Sequence, residues 1–390
     1  MYLGLIEARY DYQLSYLDQW ALAWQEASTK FETFNLIKTE DVKRLQKMCR
    51  DFDLLVVLHS VSADSNSWLN QLASLSHADR APIILFVGNE FSSPFLSTDS
   101  RLNLITQVSP EIIASQLPLE CASWLYEKTR SNVVAAPPGI PNIAFPKLSK
   151  TRDIDLGYRG FPYPWYLLDD ERNNTVNEVV ELFNMNQKRI DISFFRRFNS
   201  IQWFEFLKNS NFTASTEAGS KFVFRGDDVW RPIQEYFQSH HKFSAIKNDA
   251  SGMNFFRRLP GPAKRLLKRV TSTIGVNQAS LYKPDAEEIQ ILESLIDFSK
   301  HEYRDGKAIS SRHLDAIVCG TWQILKPGAY NDILKPNKHF TPWEPSEIPR
   351  IQEMMKKDGL LHSKALAAWE DLSPNHSYRS RVNKLLQNLR

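Results

Sequence analysis

The sequence predicts an α/β protein of two domains, each a parallel β-sheet with helices on both faces. Short apolar segments alternate with helical segments over most of the 390 residues, which is typical of parallel sheets. The apolar runs at 54–58 and 82–87 have no alternating polar face, as expected of strands buried on both sides. A chain of this length also exceeds what one hydrophobic core ordinarily serves.

The first domain is expected to hold six strands with helices between them. The strands are predicted at residues 2–6, 33–37, 54–58, 82–87, 102–107 and 132–136. The helices are predicted at residues 17–29, 40–50, 65–76 and 110–128. No G-x-G-x-x-G motif follows any of these strands, so the pattern does not favour a dinucleotide site.

A proline-rich segment, "APPGIPNIAFPKLSKTRD" at 136–153, separates the two halves of the chain. Proline fixes φ and has no backbone N–H, which suits a connector. The alternation then resumes, with strands predicted at residues 154–158, 190–194, 212–216 and 322–325. We therefore expect Rossmann-like domains at 1–146 and 147–372, and a C-terminal helix at 373–390 whose return to the first domain is left open. Two such sheets leave a cleft between their carboxyl ends, where ligands bind.

The composition indicates an ordinary globular protein. The chain is 42% hydrophobic and 24% charged, with a formal net charge of +3. Cys49, Cys121 and Cys319 lie far apart without metal-ligand spacing, which favours a reducing compartment and argues against disulfides and a bound metal. No apolar run approaches the roughly 20 residues that span a bilayer, and the first residues lack the features of a signal peptide. We expect a cytoplasmic protein.

Positive charge is concentrated in a predicted basic insert near 251–284, which carries seven basic and no acidic side chains. The rest of the chain is net acidic, so no nucleic-acid partner is expected. Within the insert, "NFFRRLPGPAKRLLKRV" at 254–270 interleaves apolar and cationic residues. This pattern suits an anionic membrane surface and equally an amphipathic helix packed on its own domain. A peripheral position on the inner face of the cytoplasmic membrane is therefore left open.

The clearest signal for a binding site lies where a helix is predicted to begin near residue 310. Ser310 and Ser311 open this helix, Arg312 and Asp315 follow, and a Cys-Gly-Thr break at 319–321 ends it. A helix N-terminus offers unpaired N–H groups and about half a positive charge, a combination that binds phosphate. Ser is also a common N-cap and Asp a common residue near a helix N-terminus, so the pattern alone leaves both interpretations open.

Six blocks of the sequence, in this order, resemble the group 1 glycosyltransferases, and within them the branch related to spore-maturation-protein glycosyltransferases. The blocks are "FVGNEF" (86–91), "IASQLPLECASWLY" (113–126), "VVAAPPGIPNIAFP" (133–146), "DIDLGYRGFPYPWYLLDDERN" (153–173), "TASTEAGS" (213–220) and "ISSRHLDAIVCGTWQIL…ILKPNKHFTPW" (309–343). The resemblance covers most of the chain apart from about residues 221–285. It implies the GT-B fold, in which two Rossmann-like doubly wound domains face each other across a cleft.

The same resemblance implies metal-independent transfer of a sugar from a nucleotide-sugar donor to a glycan or lipid-linked glycan acceptor in surface polysaccharide biosynthesis. The nucleotide-sugar is then a substrate, and no cofactor is expected. An alternative of a different class is a catalytically silent partner subunit that binds a nucleotide or a glycan. A nucleic-acid-binding protein that uses residues 254–270 is a third alternative, and the acidic remainder of the chain disfavours it.

For the donor, the resemblance places Asp315 on the ribose hydroxyl groups. Arg159 and Gly160 belong to the turn "GYRG" after the first strand of the second domain, from which the arginine could reach the phosphates with two hydrogen bonds. Lys338 and His339 close the last block and could add positive charge on the far side of the site. Each has a plainer interpretation, since an arginine often pins a turn and a histidine often packs inside a protein.

The sequence departs from the group 1 pattern at one position. These enzymes usually carry two glutamates eight positions apart, and here Asp315 occupies the second place while Lys307 occupies the first. Glu217, which stands close to Gly219 in the block at 213–220, is the candidate for the missing carboxylate contact to the donor sugar. Gly219 is expected to border the donor.

The acceptor side offers two candidate catalytic residues. An inverting transferase needs a general base in the first domain, within hydrogen-bond distance of the acceptor hydroxyl group. His59 follows the strand predicted at 54–58, and Glu90 belongs to the turn after the strand predicted at 82–87. A retaining enzyme needs no such base, and the sequence leaves both stereochemical outcomes open.

The membrane interpretation of the basic insert is testable with anionic vesicles. On the membrane interpretation, the protein should sediment with vesicles of anionic lipid, because each basic side chain near such a surface contributes ~1 kcal/mol. A variant neutralised at Arg257, Arg258, Lys264 and Arg265 is expected to lose most of this binding. Equal sedimentation of the two proteins would rule the membrane interpretation out.

Overall fold

The computed structural model describes residues 1–9, 15–75, 80–147, 152–194, 198–240, 284–357 and 359–389. Residues 254–270, for which the sequence leaves membrane binding open, lie outside the described residues, as does nearly all of the basic insert. Within the described part of the chain, no helix is long and apolar enough to cross a membrane.

The N-terminal domain is a parallel β-sheet between two layers of helices. Its strands and helices are β1 (Tyr2–Glu7), α1 (Ser15–Ala27), β2 (Lys30–Asn35), α2 (Thr39–Met48), β3 (Leu54–Val57), α3 (Ser67–Ala73), β4 (Ile83–Phe86), α4 (Thr98–Val108), β5 (Ile112–Ser115), α5 (Leu119–Leu125) and β6 (Asn132–Ala135). The sheet order is β2-β1-β3-β4-β5-β6, and these neighbours are parallel. Leu55 and Val57 of β3 face one hydrophobic core, and Leu54 and Val56 face another. Both faces of this strand are therefore buried, as predicted.

The C-terminal domain repeats this architecture. Its elements are β7 (Ile154–Arg159), α6 (Glu171–Met185), β8 (Ile190–Ser193), α7 (Ser200–Lys208), β9 (Ser210–Ser215), β10 (Val223–Phe224), α8 (Arg231–His240), α9 (Ala286–Ser294), β11 (Tyr303–Arg304), α10 (Ser311–Val318), β12 (Trp322–Leu325), β13 (Thr341–Pro342), α11 (Ile348–Met354), α12 (Leu360–His376) and α13 (Tyr378–Leu389). The main sheet has the order β13-β12-β9-β7-β8 with parallel neighbours. Strands β10 and β11 form a separate antiparallel pair.

Residues 102–107, which the sequence predicts as a strand, belong to α4 instead. The residues buried near them, Arg101, Ile105 and Val108, recur at helical spacing. Ser97 precedes the helix, and its side chain accepts a hydrogen bond from a backbone N–H of the first turn. The prediction followed the apolar residues of this segment and overlooked the cap that starts a helix.

The long helix predicted at 110–128 is also wrong. The segment contains β5, which is buried along its whole length between β4 and β6, and then the short helix α5. Pro118 stands directly before α5. At that position its missing N–H breaks no helical hydrogen bond, whereas inside a long helix it would remove one.

Two segments of the chain cross between the domains and lie against each other. The Ile140 N–H of the connector donates to the His376 carbonyl at 2.7 Å, and the Ile140 carbonyl accepts from the Tyr378 N–H at 3.3 Å. Beyond this crossing, α13 packs Val382 and Leu385 into a core of the N-terminal domain. The last helix of the chain therefore covers the first domain.

A third link joins the domains through residues 220–240, which we call the docking segment. This segment follows β9 of the C-terminal domain but packs on the N-terminal domain. Val223 is buried in an N-terminal core. Ser92 exchanges two hydrogen bonds with the backbone of Phe224, at 2.9 and 3.0 Å. The docking segment therefore holds the two domains together beside the cleft.

Asp227 of the docking segment acts as a cap for a helix of the other domain. Its carboxylate accepts hydrogen bonds from the Thr98 N–H at 2.8 Å and the Asp99 N–H at 3.4 Å, both in the first turn of α4. It also accepts one from the Ser97 hydroxyl group. A negative charge at this position satisfies unpaired N–H groups and complements the helix dipole.

We expect the D227A variant to lose about 1–2 kcal/mol of unfolding free energy, because the first turn of α4 loses its external acceptor. Urea denaturation measures this change, and hydrogen exchange at the Thr98 and Asp99 amides should accelerate. D228A is the matched control, since Asp228 is exposed and pairs with Arg231 within the same segment. Equal stability of the two variants would contradict the capping role.

Candidate functional site

A cleft of about 440 Å³ lies between the two domains. Its N-terminal wall includes Glu90, after β4, and Gln116, after β5. Its C-terminal wall includes the loops after β7 and β9 and the first turn of α10. Carboxyl ends of parallel strands from both sheets therefore border one space, which is where open α/β sheets bind ligands.

A buried histidine fixes the beginning of α10. The Ser310 N–H donates to His313 Nδ1 at 3.1 Å, and His313 Nε2–H donates to the Thr216 carbonyl at 3.1 Å. These two bonds require the neutral Nε2–H tautomer. Complete burial, with a contribution from the charge of Arg312, lowers the pKa of His313 to about 3. His313 therefore ties the helix N-terminus to the end of β9 without carrying charge at neutral pH.

Two glycines keep the C-terminal wall open. Gly219 has a φ of +90°, and a Cβ atom there would lie 2.4 Å from the Gly306 carbonyl oxygen. At Gly160, a Cβ atom would lie 2.6 Å from the Tyr158 hydroxyl oxygen and 3.2 Å from Arg312 Nη1. Any larger residue would displace these groups. Both glycines line the cleft.

Two guanidinium groups lie in the cleft without a carboxylate partner. Arg312 of α10 and Arg172 of α6 both line it, and no carboxylate of the described residues is within ion-pair distance of either. Arg172 is 7% exposed, donates to the Phe161 carbonyl at 2.7 Å, and lies 3.6 Å from the centre of the Tyr163 ring. Burial and repulsion from Arg312 lower the pKa of Arg172. Two cations that repel each other and have no ion-pair partner among the described residues suit the binding of an anion.

Arg159 also lines the cleft, but its guanidinium is already engaged. Nη2 donates to Asp191 Oδ1 at 2.6 Å, and Nη1 donates to the Asp191 carbonyl at 2.8 Å. The group also lies 4.3 Å from the centre of the Phe206 ring. Arg159 thus fastens the end of β7 to β8, and its contact with a phosphate stays a prediction.

Asp315 lies on the cleft side of α10, where it lines the cavity together with Trp203. Its Oδ2 accepts a hydrogen bond from Trp203 Nε1–H at 2.9 Å. The cleft therefore brings together most of the predicted donor residues. They are Arg159, Gly160, Gly219, Ser310, Ser311, Arg312 and Asp315.

Lys307, at the position where the group 1 pattern has its first glutamate, lies in a buried ion pair. Lys307 Nζ contacts the carboxylate of Asp169 and lies 3.5 Å from that of Glu171. Burial opposes the charge of this lysine, but the bond to Asp169 outweighs it and raises the pKa of Lys307. Since Glu171 begins α6 and Lys307 precedes α10, this cluster fixes the two helices that carry Arg172 and Arg312.

Glu90 is the carboxylate on the N-terminal wall. Its Oε1 accepts hydrogen bonds from the Ser115 hydroxyl at 2.6 Å and the Tyr126 hydroxyl at 2.8 Å, and its Oε2 accepts one from the Gln116 N–H at 2.7 Å. Burial raises the pKa of Glu90, and these three bonds oppose the rise.

Lys338 and His339 lie outside the cleft. Lys338 Nζ is 2.7 Å from Asp371 Oδ1, and His339 Nε2 is 3.0 Å from Asp371 Oδ2. The His339 ring is buried, and its Nδ1 accepts from the Lys335 N–H at 2.9 Å. Both residues attach their loop to α12 and are not among those that line the cavity.

The structure does not bring Glu217 or His59 to the cleft wall either. The Glu217 carboxylate accepts a hydrogen bond from the Tyr330 N–H at 2.5 Å, although its neighbours at 218–220 line the cavity. His59 is fully buried, with its ring centre 4.9 Å from that of Phe86. Burial lowers the pKa of His59 to about 3.

Sequence reasoning missed Arg172 and His313. The spacing from Ser310 to His313 is that of a capping box, with histidine in place of the usual Glu or Gln, so a signal was present. Arg172 gave none, because it stands in "DDERN" among acidic residues that would be expected to pair with it. Only the fold shows that two of those acids, Asp169 and Glu171, contact Lys307 instead.

Possible metal ligands do not come together in the described part of the chain. Across the ranges given above, no group of three His, Cys, Asp or Glu side chains is arranged to hold a metal ion. Cys49, Cys121 and Cys319 are buried and form no disulfide. The metal independence implied by the resemblance stays a prediction.

Comparisons with known proteins bear on the fold. No family model and no curated protein matches the sequence. An α-glucosyltransferase solved in complex with UDP-glucose and DNA containing an abasic site is similar in structure, with a TM-score of 0.50, 10% identity, and coverage of 100% of this chain and 99% of that one. Alr3699/HepE of Anabaena, solved with UDP and glucose, gives a TM-score of 0.47 and 11% identity, with coverage of 100% and 99%.

The chain has the GT-B fold, with two parallel-sheet, Rossmann-like domains facing each other across a cleft. This confirms the predicted fold class. Sequence identity of 10% shows the fold alone, so the spore-maturation-related branch stays a prediction.

The neutral state of His313 has a measurable consequence. Its pKa is about 3 in the folded protein against 6.5 for an unperturbed histidine, so protonation favours the unfolded chain. The stabilisation is complete above pH 6.5 and decreases towards pH 3, by about 1.4 kcal/mol per pH unit. We expect H313Q, which keeps capping-box geometry, to lose stability less steeply than the wild type over this range in urea denaturation. Identical slopes, or a charged His313 imidazole at pH 5 by NMR, would contradict the assignment.

Proposed function

We propose that this protein is a glycosyltransferase that takes a sugar from a nucleoside diphosphate sugar bound in the cleft. The observation that carries the proposal is the pair Arg172 and Arg312, which lack a carboxylate partner among the described residues and lie beside the N-terminus of α10. A diphosphate has the charge and the acceptor oxygens that such a pair and a helix end can bind. The fold adds support, because the similar α-glucosyltransferase was solved with UDP-glucose.

In the proposed reaction, the diphosphate gains negative charge as its bond to the sugar breaks. Donors that are held in place before the reaction stabilise this charge, and one such donor typically contributes about 3–4 kcal/mol. Arg172, Arg312 and the first backbone N–H groups of α10 supply these donors. His313 holds the helix end in position, and the two guanidinium groups take the part that a metal ion plays in other transferases.

The nucleoside half of the donor is assigned to the neighbouring wall. Asp315 accepts a hydrogen bond from Trp203 through one oxygen, which fixes its orientation towards the cleft. A carboxylate held in this way suits the two hydroxyl groups of a ribose. Ser310 and Ser311 line the same cleft at the N-terminus of α10.

For the acceptor, we propose a glycan or lipid-linked glycan of a surface polysaccharide, as in the spore-maturation-related branch. Phe91 lines the N-terminal wall and Phe161 the C-terminal wall, and Phe161 is 41% exposed. Exposed aromatic rings give a sugar ring an apolar face to pack on. A cytoplasmic protein held at the membrane by residues 254–270 would meet a lipid-linked acceptor there.

A thermal-shift screen with UDP, GDP, CMP, dTDP and ADP tests the donor site, because a ligand that binds only the folded state raises the melting temperature. We expect one nucleoside diphosphate to give the largest shift. R172A and R312A should each weaken its binding about 10- to 100-fold, since a hydrogen bond to a charged group contributes about 1.5–3 kcal/mol.

R231A is the matched control, because Arg231 is an exposed arginine outside the cleft. K338A should also bind normally, since Lys338 is held by Asp371 outside the cavity. Unchanged affinity of R172A and R312A would overturn the proposed site. Binding of the diphosphate without any hydrolysis of the matching nucleotide-sugar would favour the silent partner subunit.

A further inference from the structure

We propose that one buried water molecule, bound between the side chains of Gln323 and Arg159, forms part of the C-terminal wall of the cleft. Gln323 belongs to β12 and Arg159 to β7, and β9 separates these two strands in the sheet. The water therefore joins two strands that are not neighbours. This binding site lies behind the cleft, so it does not depend on the proposed function.

Gln323 is a polar residue in the middle of a hydrophobic strand. The other residues of β12 are Trp322, Ile324 and Leu325, and the whole strand is buried. Gln323 is 1% exposed, and neither Oε1 nor Nε2 of its amide has a hydrogen-bond partner among the described residues. A buried amide without a partner destabilises the folded state, and such groups in proteins are usually bound by an ordered water.

Arg159 offers a second buried group of this kind. Its Nη1 and Nη2 donate to Asp191, but its Nε–H has no acceptor in the part of the chain that the structure describes. Arg159 and Gln323 line the same small cavity, which has a volume of about 10 Å³. One buried water molecule needs roughly 10–15 Å³. The cavity therefore has the size for a single water, with an unpartnered group on each side.

The geometry of the sheet explains how the two side chains can share one water. Neighbouring strands lie about 4.8 Å apart, so β12 and β7 are separated by roughly 10 Å across β9. Thr213 of β9 is in register with Gln323, and Thr213 and Ser215 line the cavity with their short side chains. The long side chains of Gln323 and Arg159 can therefore approach each other over β9 and leave room for a water between them.

The chemistry of the site favours water over an ion. Gln323 Oε1 is an acceptor and Arg159 Nε–H is a donor, and a water molecule donates to the first while it accepts from the second. A metal cation would be repelled by the guanidinium of Arg159, and an anion would be repelled by Gln323 Oε1. His313 also lines the cavity, but both of its ring nitrogens already have partners.

The position of this water links it to the cleft. Arg159, Trp203 and Arg312 line both the small cavity and the cleft, so these residues lie between the two spaces. With the water bound, each nitrogen of the Arg159 guanidinium has a hydrogen-bond partner. The water thus fastens the end of β7 to β12 directly behind the wall that carries the helix start of α10.

A high-resolution crystal structure of the wild-type chain tests the site directly. We expect one density peak within about 3.2 Å of both Gln323 Oε1 and Arg159 Nε, which refines as a water molecule. Crystals soaked in rubidium bromide distinguish water from an ion, because rubidium and bromide scatter anomalously. An anomalous peak at this position would identify an ion and overturn the inference. The wild type decides this measurement, so it does not depend on how any variant folds.

Q323M separates a bound water from an amide that has no partner. Methionine has a similar length but no amide, so the variant should lose the water, and Arg159 Nε–H should lose its acceptor. We expect the melting temperature to fall by about 2–4 °C. Without a water, the same substitution would remove an unsatisfied buried amide and raise the melting temperature. Q46M is the matched control, because Gln46 is exposed on α2 and its replacement should change little.

R159M and the double variant Q323M/R159M show whether the two side chains are coupled. Their strands are not neighbours, so without a shared water the two effects on melting temperature should add. With the water, the second substitution should cost less than it does alone, because the bridge is already lost. Additive effects, a Q323M variant that melts at or above the wild-type temperature, or no water bound to both side chains in the wild type would overturn the inference. Failure to bind any nucleoside diphosphate would instead overturn the proposed function alone.

Discussion

Two guanidinium groups kept close together without a carboxylate between them are the constraint on which the rest of the site depends. Arg172 and Arg312 repel each other, so the protein must hold them by other means. The Phe161 carbonyl and the Tyr163 ring hold Arg172. Lys307 pairs with Asp169 and Glu171, and neither carboxylate forms an ion pair with the two arginines. The site therefore keeps a positive charge, which an anionic ligand would neutralise.

The position of these cations depends in turn on how the backbone is fixed around them. His313 joins the first turn of α10 to the end of β9, and it does so as a neutral ring because it is fully buried. A charged residue at this place would add a third positive group to the site. The helix end and the arginines thus form one wall of the cleft, while the carboxylate of Glu90 belongs to the other.

The distance between the two walls of the cleft is set by contacts from several parts of the chain. Among the described residues, the links between the domains include the connector at Ile140, the last helix α13, and the docking segment 220–240 with its cap Asp227. The docking segment borders the cleft through Val223, which also belongs to an N-terminal core. Opening the cleft would expose this side chain and uncap α4, so the links favour one arrangement of the walls.

The sequence by itself determined what depends on near neighbours: the alternating strands and helices, the strand Trp322–Leu325, and the helix start at Ser310, Ser311 and Arg312. Periodicity and capping act over a few residues, so they can be read directly. The tertiary structure decided which charged side chains remain available to bind a ligand in the cleft. Arg159 is paired 32 residues away with Asp191, and Glu217 is bound 113 residues away by Tyr330. Arg172 and Glu90 face the cleft instead, because ion pairs and burial join residues that only folding brings together.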